Sequence, residues 1–206
     1  RIGSLPIDEA TSDKIIRMMV GRELVAEIFH KEEVEIGETL LEVRGLSGRD
    51  MVENVNFTLR RGEILGFSGL VGAGRTETAR LLFGVDPREA GQMWIDGQPA
   101  HINSPVDAVA EGLGFVPEDR GLQGLILKLP LLENIVLPSL DEHTNAGWVD
   151  QRALRNTAQT YVDKLNIRTP HLQQKAMFLS GGNQQKVVLA KWLALQPKIL
   201  ILDEPT

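Results

Sequence analysis

Leu179-Ser180-Gly181-Gly182-Asn183-Gln184-Gln185-Lys186 and, downstream of it, Ile199-Leu200-Ile201-Leu202-Asp203-Glu204-Pro205-Thr206 decide how this chain folds. The first is a glycine-rich turn opening a helix. The second is an apolar strand that ends in two carboxylates. Well upstream of both lies a third glycine-rich segment, Gly69-Leu70-Val71-Gly72-Ala73-Gly74-Arg75-Thr76. Each alone is a common local pattern. A glycine-rich loop after a strand, followed later by a carboxylate at the end of another strand, is the arrangement that binds a nucleotide triphosphate with Mg²⁺.

The glycine-rich loop has a mechanical reading. Glycines let backbone N–H groups turn inward around phosphate oxygens, and the following helix start adds positive potential. In the G-x-x-x-x-G-K-[ST] pattern a Lys reaches the β/γ-phosphates and a hydroxyl ligates the metal. Gly69, Gly74 and Thr76 fit that pattern, and Gly72 adds a permissive position. Arg75 stands where the Lys belongs. It keeps the charge, but its planar fork is bulkier than an ammonium. Binding with impaired hydrolysis is the expectation. A plain strand-to-helix turn, with glycines serving packing, is the competing reading.

Asp203 follows four apolar residues. A carboxylate at a strand end holds Mg²⁺ in phosphoryl-transfer sites. Glu204, next to it, is placed to polarise an attacking water as general base. Ser180 is an expected N-cap, and Gly181 and Gly182 expose backbone N–H groups behind it, which makes a second anion-binding helix start. Two such starts in one chain mean either two anions or a site completed on another subunit.

Strand patterns begin near Leu40. Leu40–Val43, Val55–Leu59 and Trp94–Asp96 mostly alternate, and Gly62–Ser68 reads as a buried strand feeding the phosphate loop. Thr76–Phe83 reads as the helix after it, closed by Gly84. Between Gly121 and Phe178 the pattern is helical: Leu131–Leu137 ends at Pro138, and Asp150 caps a longer helix to Leu165. Ser180–Leu195 is a third helix, and Lys198–Asp203 reads as a central parallel strand. Residues 1–38 read as a connector, with a short helix from Ser12 to Val20 and a charge run Lys31-Glu32-Glu33-Val34-Glu35.

Composition narrows the function. A length of 206 residues with 42% apolar content suffices for a full core. A net charge of −6 argues against a nucleic-acid partner. Cysteine is absent, so disulfides and thiolate metal sites are excluded. No apolar run reaches the roughly 18 residues needed to span a bilayer. Arg1-Ile2-Gly3-Ser4-Leu5-Pro6 has no signal-peptide core, and without an initial Met the chain reads as an excised piece.

The three motifs together resemble the ATP-binding-cassette (ABC) ATPases: Gly69–Thr76 their Walker A loop, Leu179–Gln185 their signature motif, and Ile199–Glu204 their Walker B strand. More narrowly, Gly69–Glu77, Val116-Pro117-Glu118-Asp119-Arg120 and Leu179–Lys186 resemble the second cassette of bacterial monosaccharide importers, and Met19–Leu24 resembles the segment joining two cassettes. The resemblance implies an α/β fold of the P-loop NTPase type. Its parts would be a RecA-like core, an antiparallel β-subdomain and a helical subdomain at about 121–195. Residues 1–38 would be the inter-cassette linker and 39–206 a C-terminally incomplete nucleotide-binding domain.

It also implies roles. Gly69, Gly72, Ala73, Gly74, Arg75, Thr76 and Glu77 would contact ATP. Thr76 and Asp203 would serve Mg²⁺, and Glu204 would be the general base. Glu118 falls where most cassettes carry the Gln of the Q-loop. Ser180, Gly181 and Gly182, with Gln184 in the same motif, would contact the γ-phosphate of ATP on a partner cassette. That partner would be the preceding cassette of the same polypeptide or a second copy. Permease subunits, and indirectly a periplasmic sugar-binding protein, would complete a transporter at the cytoplasmic face of the inner membrane. Residues 47–54 lack the aromatic that stacks on adenine. The D-loop and switch His would follow Thr206, and His30, His101, His143 and His171 read as surface or packing residues. Two rivals are a soluble ABC ATPase acting on nucleic acid or ribosomes and a regulatory cassette that binds ATP without turnover. The first would carry a coiled-coil insertion or a basic arm, and the sequence has neither.

Overall fold

The computed structural model describes residues 6–9, 35–49, 51–145 and 147–204. The chain divides into two compact units, 1–37 and 38–206. In the first, a 3₁₀ turn covers Ile7–Glu9; the expected helix Ser12–Val20 lies outside the described residues.

An antiparallel sheet forms from β1 (Thr39–Ser47), β2 (Val55–Arg60), β3 (Ala90–Ile95) and β4 (Gln98–Ala100), in the order β2-β1-β3-β4. Alternation explains it. Successive residues of β2 swap between half-buried and exposed, as one-sided burial requires. The β3–β4 connection is the two-residue loop Asp96-Gly97, both residues at positive φ, which pairs Ile95 with Gln98. Leu41, Val43 and Leu46 of β1 and Met93 and Ile95 of β3 turn inward. They meet Leu81, Leu82 and Phe83 at the end of α1 (Arg75–Leu82), Ala108 of α2 (Pro105–Ala110), and Leu113 and Phe115 of β5 (Leu113–Val116) in one core.

β5 pairs in parallel with β8 (Ile199–Leu202), in register from Leu113↔Ile199 to Val116↔Leu202. The chain between these strands builds a second core. It contains α3 (Leu131–Val136), α4 (Gln151–Lys164) and α5 (Gly181–Leu193), with Leu131, Ile135, Ala158, Val187 and Val188 inside. Trp192 and the two faces of β8 join the cores: Ile201 packs against the first and Leu200 against the second.

Several expectations change. Gly62–Ser68 is not a strand, and Ile64 is 96% exposed. A strand needs a neighbour to take its ladder bonds, and among the described residues no strand pairs with this segment, although Phe67 packs its ring edge-on against Phe57 of β2 at 5.2 Å between centroids. For the same reason β8 is not central: it is paired only to β5, and Leu202 is 48% exposed. One expectation holds: the α-helix ends at Val136 with Leu137 as its cap, just before Pro138. The chain then continues as a 3₁₀ helix, Leu137–His143, with Pro138 in its first turn, where its missing N–H costs nothing. The stretch expected to be helical also holds a small hairpin, β6 (Thr144–Asn145) with β7 (Trp148–Val149). Asp150 caps α4 as expected, its Oδ1 accepting from Arg152 and Ala153 N–H at 2.9 Å.

Asn134 holds the loop before α3. It is 2% exposed. Its Oδ1 accepts from Ile126 N–H at 2.8 Å, and its Nδ2 donates to the carbonyls of Ile126, Leu129 and Pro130 at 3.1, 3.3 and 3.0 Å. Truncating it leaves the Ile126 N–H without its acceptor and strips one donor from each of the three carbonyls, which keep backbone donors. Asn134→Ala is expected to lower the unfolding free energy by about 2–3 kcal/mol, measured by urea denaturation. A loss below about 1 kcal/mol would mean that water replaces the amide.

Candidate functional site

Open parallel sheets gather ligands at the carboxyl ends of their strands. Here β5 runs into buried Pro117 and then exposed Glu118. β8 runs into Asp203 and Glu204, and the N–H of Asp203 donates to the Val116 carbonyl at 2.9 Å. The two acidic segments therefore leave the sheet side by side.

The phosphate-loop candidate meets β8 at its helix start. Gly72 and Gly74 have φ of 81° and 79°, a conformation that a Cβ disfavours. Gly74 is also fixed by space: a Cβ there would meet the Met51 carbonyl oxygen at 2.8 Å. No side chain caps α1, so its first N–H groups face outward from Gly74. Ala73 lies in a turn in which its N–H donates to Leu70 O at 3.0 Å, and Glu77 sits half-buried in the first turn of α1. Gly69 lies close enough to Ala73 that a Cβ would meet Ala73 Cβ at 2.9 Å.

Two contacts bridge the loop to the acidic strand end. Thr76 Oγ1 donates to Asp203 Oδ1 at 3.1 Å. Arg75 Nη2 donates to Glu204 Oε1 at 3.0 Å, pairing the substituted cation with the expected base. Asp203 is only 7% exposed, and its Oδ2 is buried without a hydrogen-bond partner. A desolvated carboxylate oxygen costs stability unless something occupies it. A hard divalent cation is the ligand that a hydroxyl and a carboxylate oxygen so placed accept. Thr76 and Asp203 therefore fit Mg²⁺. Among the described residues no cluster of three His, Asp or Glu side chains forms another metal site.

The remaining candidates form a second group. Ser180 precedes α5, but its hydroxyl does not cap the helix as expected. Its Oγ accepts instead from Asn183 Nδ2 at 2.9 Å, leaving the N–H groups at Gly181 and Gly182 uncapped. Gln184 is engaged at both ends: Nε2 donates to Ala176 O at 3.0 Å, and Oε1 accepts from Arg120 Nε at 3.4 Å. Gln184 and Glu118 line an open cavity of about 360 Å³ with Asp119, Arg120 and Gly121. Among the described residues no hydrogen bond or ion pair links this group to Arg75, Thr76 or Asp203. Arg120 and the Met51 backbone escaped sequence reasoning, since neither belongs to a phosphate pattern.

Residues 52–206 match the model of the ABC transporter family, and the chain belongs to that family. The chain is 47% identical, over its whole length, to the ribose import ATP-binding protein RbsA of Geobacillus kaustophilus. It is 46% identical over 99% of its length to the ribose import ATP-binding protein RbsA 3 of Rubrobacter xylanophilus. It spans 41% of each of these relatives. The fold is that of solved ATP-binding cassettes. The cassette MJ0796, in a dimeric post-hydrolysis state bound to ADP and Pi, superposes with a TM-score of 0.68 at 24% identity, over 81% of this chain and 75% of that one. A nucleotide-free cassette from an ABC transporter gives 0.67 at 18% identity, over 82% and 70%. These neighbours establish an α/β P-loop NTPase fold with an antiparallel subdomain.

The unpaired Asp203 oxygen has a measurable cost. Asp203→Asn keeps the acceptor for Thr76 and removes a buried charge, so the ligand-free chain is expected to gain about 1 kcal/mol, seen as a higher melting temperature. A lower melting temperature would show that the carboxylate is already satisfied.

Proposed function

We propose that this chain is an ATP-binding cassette of a bacterial monosaccharide importer, and that ATP binding and hydrolysis on paired cassettes drive sugar uptake. The observation that carries the proposal is the buried, unpartnered Asp203 Oδ2 beside Thr76. The ribose-import names of the relatives supply the substrate class.

In this reading residues 1–38 are the inter-cassette linker and 39–206 the cassette. Gly69, Gly72, Ala73, Gly74 and the start of α1 cradle the phosphates, with Arg75, Thr76 and Glu77 at their edge. Thr76 and Asp203 hold Mg²⁺, which when bound neutralises charge on the β- and γ-phosphates. Glu204 orients the attacking water and accepts its proton on a carboxylate oxygen. The Arg75–Glu204 ion pair competes with that role, because the guanidinium occupies a carboxylate oxygen that the water would otherwise meet. This cassette's own site is accordingly the slower one. By itself the 206-residue chain hydrolyses ATP barely above background, since phosphoryl transfer needs many groups positioned at once. The same ion pair favours, as the second reading, a cassette that binds ATP for regulation without turnover at its own site.

The uncapped start of α5 has a separate task. Among the described residues no hydrogen bond or ion pair joins Ser180, Gly181 or Gly182 to this chain's phosphate loop, which favours their completing the site of a partner cassette, in the same polypeptide or in a second copy. Glu118 faces the permease side and tunes coupling. The assembly lies at the cytoplasmic face of the inner membrane, held there by permease subunits and fed by a periplasmic sugar-binding protein. No described helix is long and apolar enough to cross a membrane.

In the full-length protein, Ser180→Arg is expected to abolish sugar uptake in reconstituted vesicles. A cation there blocks a phosphate presented from outside. ATP affinity of this chain's own loop should stay within about twofold, read by calorimetry. Persistent uptake with weakened affinity would mean that Ser180 serves its own site.

A further inference from the structure

The turn after Glu118 is fastened to α5 along its length. Asp119 Oδ1 accepts from Gly121 and Leu122 N–H at 2.9 Å, closing a π-helical turn over Arg120–Gly124. At the end of that turn Lys191 Nζ donates to Gly124 O at 3.1 Å. Gly124 packs so tightly that a Cβ would meet Val188 Cγ2 at 2.8 Å. Burial lowers the Lys191 pKa, because desolvation disfavours the ammonium. These contacts anchor the turn to the second half of the helix, at Val188 and at Lys191 in its last turn.

Arg120 makes a different contact. It reaches the first turn of α5, where Nε donates to Gln184 Oε1 and where a Cβ on Gly181 would meet Nη2 at 2.6 Å. A cation is electrostatically unfavourable at a helix N-terminus. The anchoring already supplied by Lys191 and Gly124 makes it unnecessary for packing. We infer that Arg120 is a positioning residue that ties the Ser180–Gly182 segment to the Glu118 turn, so that the two move as one body. The inference rests on the reading of Ser180–Gly182 as phosphate contacts for a partner cassette. It also explains Gly181: any Cβ there pushes the guanidinium away while every backbone N–H of the segment stays in place.

The test is a double-mutant cycle in the full-length protein, with Arg120→Ala, Gly181→Ala and the double variant. ATP turnover and melting temperature are measured together. Each single variant should lower kcat by about fivefold or more, with KM within about twofold and the melting temperature unchanged. The double variant should be no worse than either single one, because Gly181→Ala acts by displacing Arg120. Arg120→Gln, which keeps the stem and loses the fork, should reproduce Arg120→Ala. Unchanged kcat in the single variants, or losses that multiply in the double, overturn the inference. Ser180→Arg separates the two levels. If it leaves turnover intact, the partner-site reading fails. If it abolishes turnover while the cycle is multiplicative, only the role of Arg120 fails.

Discussion

The parallel pairing of β5 with β8 is the constraint from which the site follows. Four register pairs, Leu113↔Ile199 through Val116↔Leu202, bring together segments separated by the whole helical insert. Closing so long a loop carries an entropic cost that grows only slowly with length. It is offset because β8 buries one face against each core, Ile201 on the sheet side and Leu200 on the helical side. Once the strands are in register, Glu118 and Asp203 must emerge at the same edge. The α1 start then meets Asp203 through Thr76.

Much of this was legible in the sequence because local chemistry and global placement agree. The carboxylates after an apolar run, the glycines before α1 and the Asp150 cap are short-range signals that the fold does not override. Gly62–Ser68 failed for the opposite reason. Its apolar run is a statement about burial, and burial depends on a neighbouring strand that local sequence does not reveal. Pro138 was a sound stop signal for the α-helix, which ends at Val136, but it gave no sign of the 3₁₀ helix that it opens. The Ser180 cap was expected from residue type alone, and Asn183 claims the hydroxyl first. Gly181 and Arg120 each belong to a segment that the sequence marks, but nothing local showed that they meet, because the approach forms only after the insert folds.

The geometry separates two polar groups within one chain. Thr76, Arg75, Asp203 and Glu204 form two bonded pairs between the loop and the strand end, whereas Ser180, Gln184 and Arg120 form another group, with no hydrogen bond or ion pair to the first among the described residues. Under the proposed function the second group serves a partner cassette, and the chain spans 41% of the length of two of its relatives.

The central claim is that Asp203 and Thr76 hold a divalent cation that arrives with nucleotide. Mn²⁺ substituted for Mg²⁺ reports this directly through its paramagnetic resonance signal. The free-ion signal is expected to fall when both this chain and ATP are present beyond the loss that ATP alone causes, and Asp203→Asn is expected to abolish that further loss. An Asp203→Asn chain that immobilises Mn²⁺·ATP as well as the wild type would contradict the account.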